Sequence, residues 1–179
     1  MKKKSNSANR FIIPKIKVDA PISFKKAGKE GKMPMPDSPD DVVYYDFSLL
    51  PGFGGLIGKS GNAIFSGHVD SGFDYCDYGK TPPPCKAVLW DLDQLVPSDI
   101  LAIIYNGKEY KYKVSSNKKM GIRRLQKVLM STKGEMITII TCSGNFDFDN
   151  HSYEKRQVVR AKRVTISKRD AIYPFRNNT

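Results

Sequence analysis

Met136-Ile137-Thr138-Ile139-Ile140-Thr141-Cys142-Ser143-Gly144-Asn145 is apolar and β-branched for most of its length and then turns polar. β-Branched side chains are stiff and pack well on a pleated surface, so the run reads as a buried strand that delivers Cys142 at its C-terminal end. Gly144 and Asn145 follow, where the chain is expected to turn. A thiol in that position is held by a rigid element yet opens onto a loop, a common way to present a reactive group. Taken alone, the same Cys reads more readily as a small buried hydrophobe.

The design recurs upstream in Asn62-Ala63-Ile64-Phe65-Ser66-Gly67-His68-Val69-Asp70, where a strand ends in Gly and a titratable group. The chain has only two His. The other, His151, sits in the polar stretch Asp149-Asn150-His151-Ser152 and reads as a solvated loop residue. Downstream of Cys142, Tyr153-Glu154-Lys155-Arg156-Gln157-Val158-Val159-Arg160-Ala161 enters another strand. Period-2 alternation puts Arg156, Val158 and Arg160 on one face and Gln157, Val159 and Ala161 on the other. Either Arg could point at Cys142, or both could be ordinary surface charges. A Cys, a His and an Arg at three strand ends supply the parts that acyl transfer needs. The thiolate attacks a carbonyl, and an imidazolium favours the thiolate and protonates the leaving amine. A guanidinium stays charged and stabilises the oxyanion with its fork of donors.

Around these stretches, strands dominate. Phe11–Ile16 and Ala20–Ile22 carry Pro14 and Pro21, which suits edges or bends. Asn62–Ser66, Ile100–Tyr105, Glu109–Val114, Met136–Thr141 and Val158–Ile166 are β-branched and aromatic, with Asn106-Gly107 as a hairpin turn between two of them. Two helical pieces are expected. One starts at Ser38-Pro39-Asp40-Asp41, with an N-cap, a Pro at the first position and acids in the first turn. The other covers 121–131, where Ile122, Leu125, Val128 and Leu129 follow helical spacing. Many short strands and few helices predict a mainly β fold, a small closed barrel or a sandwich. The chain reads as one domain over 10–170, with a basic tail at 1–9 and a second tail at 171–179.

The chain's 179 residues suffice for one hydrophobic core. Thirty Lys and Arg against eighteen Asp and Glu give a net charge of +12, which attracts polyanions: nucleic acid, anionic lipid headgroups or an anionic envelope. No stretch reaches the roughly 18 to 20 apolar residues of a membrane span. Met1–Arg10 has a basic start without the apolar region of a signal peptide, so the chain reads as soluble or as beginning after an anchor. Cys76 and Cys85 lie in a loop-like stretch rich in Pro and Gly. In an oxidising compartment an odd count of three suggests one disulfide, Cys76–Cys85, and one thiol with a task; in a reducing one all three stay free. Cys76, Cys85 and His151 match no familiar zinc spacing, so no metal is expected. Tyr110 and Tyr112 alternate with Lys111 and Lys113, which reads as a strand with its aromatic face in the core and its basic face in water.

Gly67-His68-Val69-Asp70 after a strand, Thr141-Cys142 after a second, and Arg156-Gln157-Val158-Val159-Arg160-Ala161 in a third together resemble the sortase family, the cysteine transpeptidases of Gram-positive cell surfaces. Ile12-Ile13-Pro14-Lys15-Ile16-Lys17-Val18-Asp19-Ala20-Pro21-Ile22 is similar to the family's first two strands, and Trp90–Asp99 to the segment before a later one. The resemblance implies a closed eight-stranded β-barrel with a few short helices. It implies His68 as acid/base, Cys142 as nucleophile and Arg156 as oxyanion stabiliser, with Thr141, Ser143 and Arg160 contacting substrate and no cofactor. The activity it implies is cleavage of an LPxTG-like C-terminal sorting signal after Thr and transfer, through a thioester, to an amine acceptor of a peptidoglycan precursor or a pilin. The partners would then be secreted proteins and the anionic cell envelope, not nucleic acid. The place would be the outer face of a Gram-positive membrane, with any anchor outside this chain. Gly-His-Val-Asp-Ser looks closer to classes D, E and F than to class A, and the stretch with Cys76 and Cys85 departs from the family pattern. The competing expectation is a non-catalytic basic barrel that binds nucleic acid or anionic glycopolymer and would survive loss of Cys142.

Overall fold

The computed structural model describes residues 9–71, 86–147, 149 and 152–164. Side chains alternate in and out along β1 (Arg10–Ile13), which buries Phe11 and Ile13, and along β2 (Val18–Lys26), which buries Val18, Ala20 and Ile22. This is the period-2 signature of a sheet with one buried face. Pro14 has no N–H to give the ladder, so the strand expected over Phe11–Ile16 stops at Ile13 and Pro14–Ile16 makes a single 3-10 turn.

Six more strands follow: β3 (Val42–Asp46), β4 (Gly61–Ser66), β5 (Ile100–Tyr105), β6 (Lys108–Gly121), β7 (Glu135–Asp147) and β8 (Ser152–Arg163). Their order is β1-β2-β3-β4-β7-β8-β6-β5, and β5 pairs back onto β1 to close the barrel. β2–β3 and β4–β7 are parallel, whereas the remaining pairs are antiparallel. The chain thus forms a mainly β, closed eight-stranded barrel, as the family resemblance implies, where the residue patterns alone left barrel or sandwich open. Asn106 and Gly107 turn the β5–β6 hairpin with positive φ at both positions, 50° and 74°, as a type I′ turn requires.

Hydrophobic residues gather on both sides of the barrel wall. Inside are Phe11, Phe65, Leu101, Ile103, Tyr112, Ile137, Ile139 and Val159. Against the outer wall lie Val43, Tyr45, Ile64, Ile140, Val158 and Leu129. This second cluster is covered partly by α1 (Leu125–Leu129), which follows a 3-10 turn at Ile122–Arg124 inside the segment expected to be helical. Among the described residues α1 is the one α-helix; the rest are 3-10 turns. None of these helices is long and apolar enough to cross a membrane.

Several expectations fail in informative ways. No helix starts at Ser38. The Ser38 hydroxyl accepts from Asp40 N–H at 3.1 Å in a local turn, and Val42–Asp46 is β3. Val42 and Tyr44 point into the inner core while Val43 and Tyr45 point into the outer cluster, so burial of both faces overrides the capping signal. β7 does not end at Cys142: it continues to Asp147 through a register shift between Ser143 and Phe146, where Gly144 adopts φ 85°. β6 runs seven residues past Val114, and β8 starts at Ser152 rather than at Val158. Cys76, Cys85, His151, Ile166 and both predicted tails fall outside the described residues, apart from Asn9.

Candidate active site

Topology brings the three predicted residues to one end of the barrel. β4 and β7 run parallel, so His68, just beyond β4, and Cys142 on β7 emerge at the same end. β8 is antiparallel to β7, so its N-terminal half returns to that end and sets Arg156 directly opposite Cys142. Residues opposed in this way hold their Cβ atoms about 4.5–5.5 Å apart.

Backbone contacts fix the turn that presents His68. Thr141 Oγ1 donates to the Gly67 carbonyl at 2.8 Å, joining the two strand ends. Leu89 N–H donates to the His68 carbonyl at 3.0 Å and Ala87 N–H to that of Val69 at 3.2 Å. Gly67 fits this turn without displacing its neighbours, because a Cβ there would lie 2.8 Å from Val88 Cγ1 and 3.0 Å from Leu89 Cδ1. His68 Nε2 lies 2.9 Å from the Pro36 carbonyl. A carbonyl only accepts, so Nε2 carries the proton in this arrangement.

Cys142, His68, Arg156 and Thr141 line one cavity of about 540 Å³. Much of the remaining wall is apolar, including Met33, Tyr45, Phe53, Leu125, Leu129 and Ile140. That combination of an apolar cleft and a few convergent polar groups is typical of small-ligand and peptide sites. Met33-Pro34-Met35-Pro36 of the β2–β3 connection form one side, held by the Tyr45 hydroxyl donating to the Pro34 carbonyl at 2.5 Å. Burial pushes the Tyr45 phenol up to about 12, so it stays a donor at neutral pH.

Cys142 is a free thiol, half-buried. Burial pushes its pKa up; the Arg156 charge pulls it down, and Asp70 pushes it up again. Asp70 is paired with the Tyr153 hydroxyl, and the Tyr153 carbonyl accepts from Arg156 Nη1 at 2.8 Å. The Lys155 carbonyl accepts from the same Nη1 at 2.9 Å. The guanidinium is thereby oriented by its own strand, and Tyr153 links it to the loop that carries His68.

The other predicted positions divide. Thr141 lines the cavity with its hydroxyl committed to Gly67. Ser143 stands opposite Lys155, outside the lining. Arg160 shares the face of Arg156 but stands opposite Thr138, four residues along β8 and so about 13 Å away, and does not line the cavity. Sequence reasoning assigned no role to Asp70, Tyr153 or the Met33–Pro36 segment. Asp70 had a signal, since two residues after His68 it returns to the same side of an extended chain. The other two depend on contacts between distant segments. Among the described residues, no three His, Cys, Asp or Glu converge as a metal site requires.

Comparison with known proteins adds a family. The family model described as Sortase domain matches residues 11–164. Among solved structures, a lid mutant of sortase A from Corynebacterium diphtheriae superposes with a TM-score of 0.63 at 20% identity, covering 93% of this chain and 74% of that one. Sortase C-1 from Actinomyces oris gives 0.61 at 20% identity, over 88% and 72% of the two chains. A Clostridium perfringens sortase D5 transpeptidase gives 0.61 at 16% identity, over 92% and 83%. A search of curated proteins finds no match. The structural neighbours span types A, C and D at identities that speak for the fold alone.

Proposed function

This chain belongs to the sortase family, and on that premise we propose that it is a cysteine transpeptidase acting through Cys142, His68 and Arg156. The supporting observation is the cross-strand pairing of Cys142 with Arg156 at the barrel end where His68 also lines the cavity.

In this reading the acyl donor is a C-terminal sorting signal of LPxTG type, lying in the cleft with the Thr carbonyl over Cys142. His68 takes the thiol proton as Cys142 Sγ adds to that carbonyl, and the negative charge gathers on its oxygen beside the Arg156 guanidinium. Collapse of the intermediate breaks the Thr–Gly amide. His68 gives its proton to the departing amine, leaving a thioester on Cys142. An amine from a peptidoglycan precursor or a pilin then attacks the thioester, and His68 takes the amine's proton and passes it to the leaving sulfur, which restores the thiol. The resting bond from His68 Nε2–H to Pro36 must open for this, so the donor peptide and the β2–β3 connection compete for one imidazole. The half-buried thiol with Arg156 opposite stays largely protonated until substrate and His68 engage it. We place the reaction at the cell surface, as family membership supports, and read Gly67-His68-Val69-Asp70-Ser71 as nearest to classes D, E and F.

The test is incubation with a sorting-signal peptide followed by intact-protein mass measurement. An adduct of the peptide's N-terminal fragment, labile to hydroxylamine, is expected on the wild type and absent from Cys142→Ala. Cleavage that persists in Cys142→Ala would overturn the mechanism.

A further inference from the structure

Nearly all of the chain's excess charge sits in two stretches that pair with each other. Residues 108–127 carry eight Lys or Arg against one acid, and residues 152–163 carry five against one. Together they hold thirteen cations and two acids, hence +11 of the net +12, while the remainder holds seventeen against sixteen. β6 and β8 are neighbours through most of their length, and the Ile122–Arg124 turn packs against β8.

Alternation decides which of these charges share a face. Tyr112 and Val114 of β6 and Val159 and Ala161 of β8 point into the barrel core, which turns Lys111, Lys113 and Lys162 outward. Beyond the register shift at Val114/Ser116, Lys118 pairs with Val158 of the outer cluster and Ser116 with Arg160, so both cations also face out. Lys113 stands directly opposite Lys162. Like charges opposed across a ladder destabilise it. Among the described residues, no carboxylate forms an ion pair with Lys113, Lys118 or Lys162. The ion pairs that β6 and β8 do make, Lys111 with Glu109 and Arg163 with Glu135, leave this repulsion uncompensated among the described residues.

We propose that the outer face of β6 and β8 docks a linear, base-free phosphodiester polymer along the row formed by Lys113, Lys162, Arg160 and Lys118, ending beside Arg156. A row of cations along paired strands fits a chain of regularly spaced anions. Nucleic acid fits less well, because single strands are gripped by exposed aromatic platforms. Here Tyr112 is fully buried, and Tyr110 lies half-buried with the Arg163 guanidinium 5.1 Å from its ring. A bilayer surface fits less well too, because interfacial docking needs apolar side chains among the cations, and neither β6 nor β8 exposes a large hydrophobic residue. The row reaches the rim of the cavity at Arg156, but polymer binding needs no thiol chemistry, so the inference goes beyond the transpeptidase reading and stands or falls separately.

The experiment is titration of the full chain with a fluorescent poly(glycerol phosphate), followed by anisotropy at several salt concentrations. The triple variant Lys113→Gln, Lys118→Gln, Lys162→Gln is expected to bind about tenfold or more weakly at low salt, with a log–log salt slope shallower by about 2, as loss of three phosphate contacts implies. Lys17→Gln, Lys26→Gln, Lys59→Gln removes the same charge elsewhere and is expected to bind within about twofold of wild type. Cys142→Ala is expected to bind as wild type does. Equal losses in the two triple variants would reduce the effect to bulk charge and overturn the proposal, as would unchanged binding in the first. It is overturned equally if phosphatidylglycerol vesicles show the lysine dependence and the polymer does not. It also fails if an oligothymidylate of equal phosphate number binds about tenfold more tightly than the polymer.

Discussion

Cys142 is held between opposing influences. Burial favours the neutral thiol, Arg156 favours the thiolate, and Asp70 disfavours it. Only the thiolate is alkylated, so the pH midpoint of its reaction with iodoacetamide reports this balance. Removing the cation in Arg156→Gln is expected to move the midpoint up. Removing the anion in Asp70→Asn is expected to move it down. Turnover of Arg156→Gln should also fall by about 10²–10³, the usual loss when an oxyanion donor is removed. A midpoint unmoved in both variants would mean that neither charge reaches the sulfur. Cys142 and His68 were legible from sequence because each ends an apolar run after which the chain becomes polar. The choice between Arg156 and Arg160 was not. Period 2 fixes the shared face, but which Arg opposes Cys142 depends on the β7–β8 register, which shifts between Ser143 and Phe146.

At the scale of elements, the end of β4 is where packing is converted into site geometry. Gly67 is squeezed between Val88 and Leu89, whose backbone in turn binds the His68 carbonyl. Gly67→Ala is therefore expected to cost about 1–3 kcal/mol through overpacking and to lower turnover further than that loss explains, because the displaced segment carries His68. Gly134→Ala is the control: a Cβ there meets nothing within 4 Å, and both stability and turnover should hold. Denaturant midpoints and peptide cleavage rates measured on the same preparations check both. A Gly67→Ala enzyme with full turnover would show that the turn does not set the imidazole. The elements were read unevenly from sequence. β4, β5 and the 121–131 helical segment follow simple patterns. β3 was hidden by Ser38-Pro39-Asp40-Asp41, whose local capping chemistry serves a turn, while Val42–Tyr45 is buried on both faces and has no alternation to betray it.

The whole molecule is closed by its first strand. β1 is four residues long, yet it pairs with both β2 and β5 and so removes the two edges that an open sheet would leave. Such closure follows from contacts far apart in the chain, which is why composition suggested barrel or sandwich and only the family resemblance chose between them. Phe11 anchors β1: it is fully buried, with its ring centroid 4.9 Å from that of Phe65, which lies on β4 three residues before His68. Core packing thus runs without a break from the strand that closes the barrel to the strand that leads to His68. Phe11→Ala is expected to cost about 3–5 kcal/mol, the range for emptying a packed aromatic site. If barrel and site form one cooperative unit, urea unfolding followed by far-ultraviolet circular dichroism and by exposure of Cys142 to a thiol reagent should give coincident midpoints. Both should move down together in Phe11→Ala. Exposure of Cys142 well before the loss of β signal would mean that the site end opens on its own, and that the packing from Phe11 through Phe65 does not hold His68 in place.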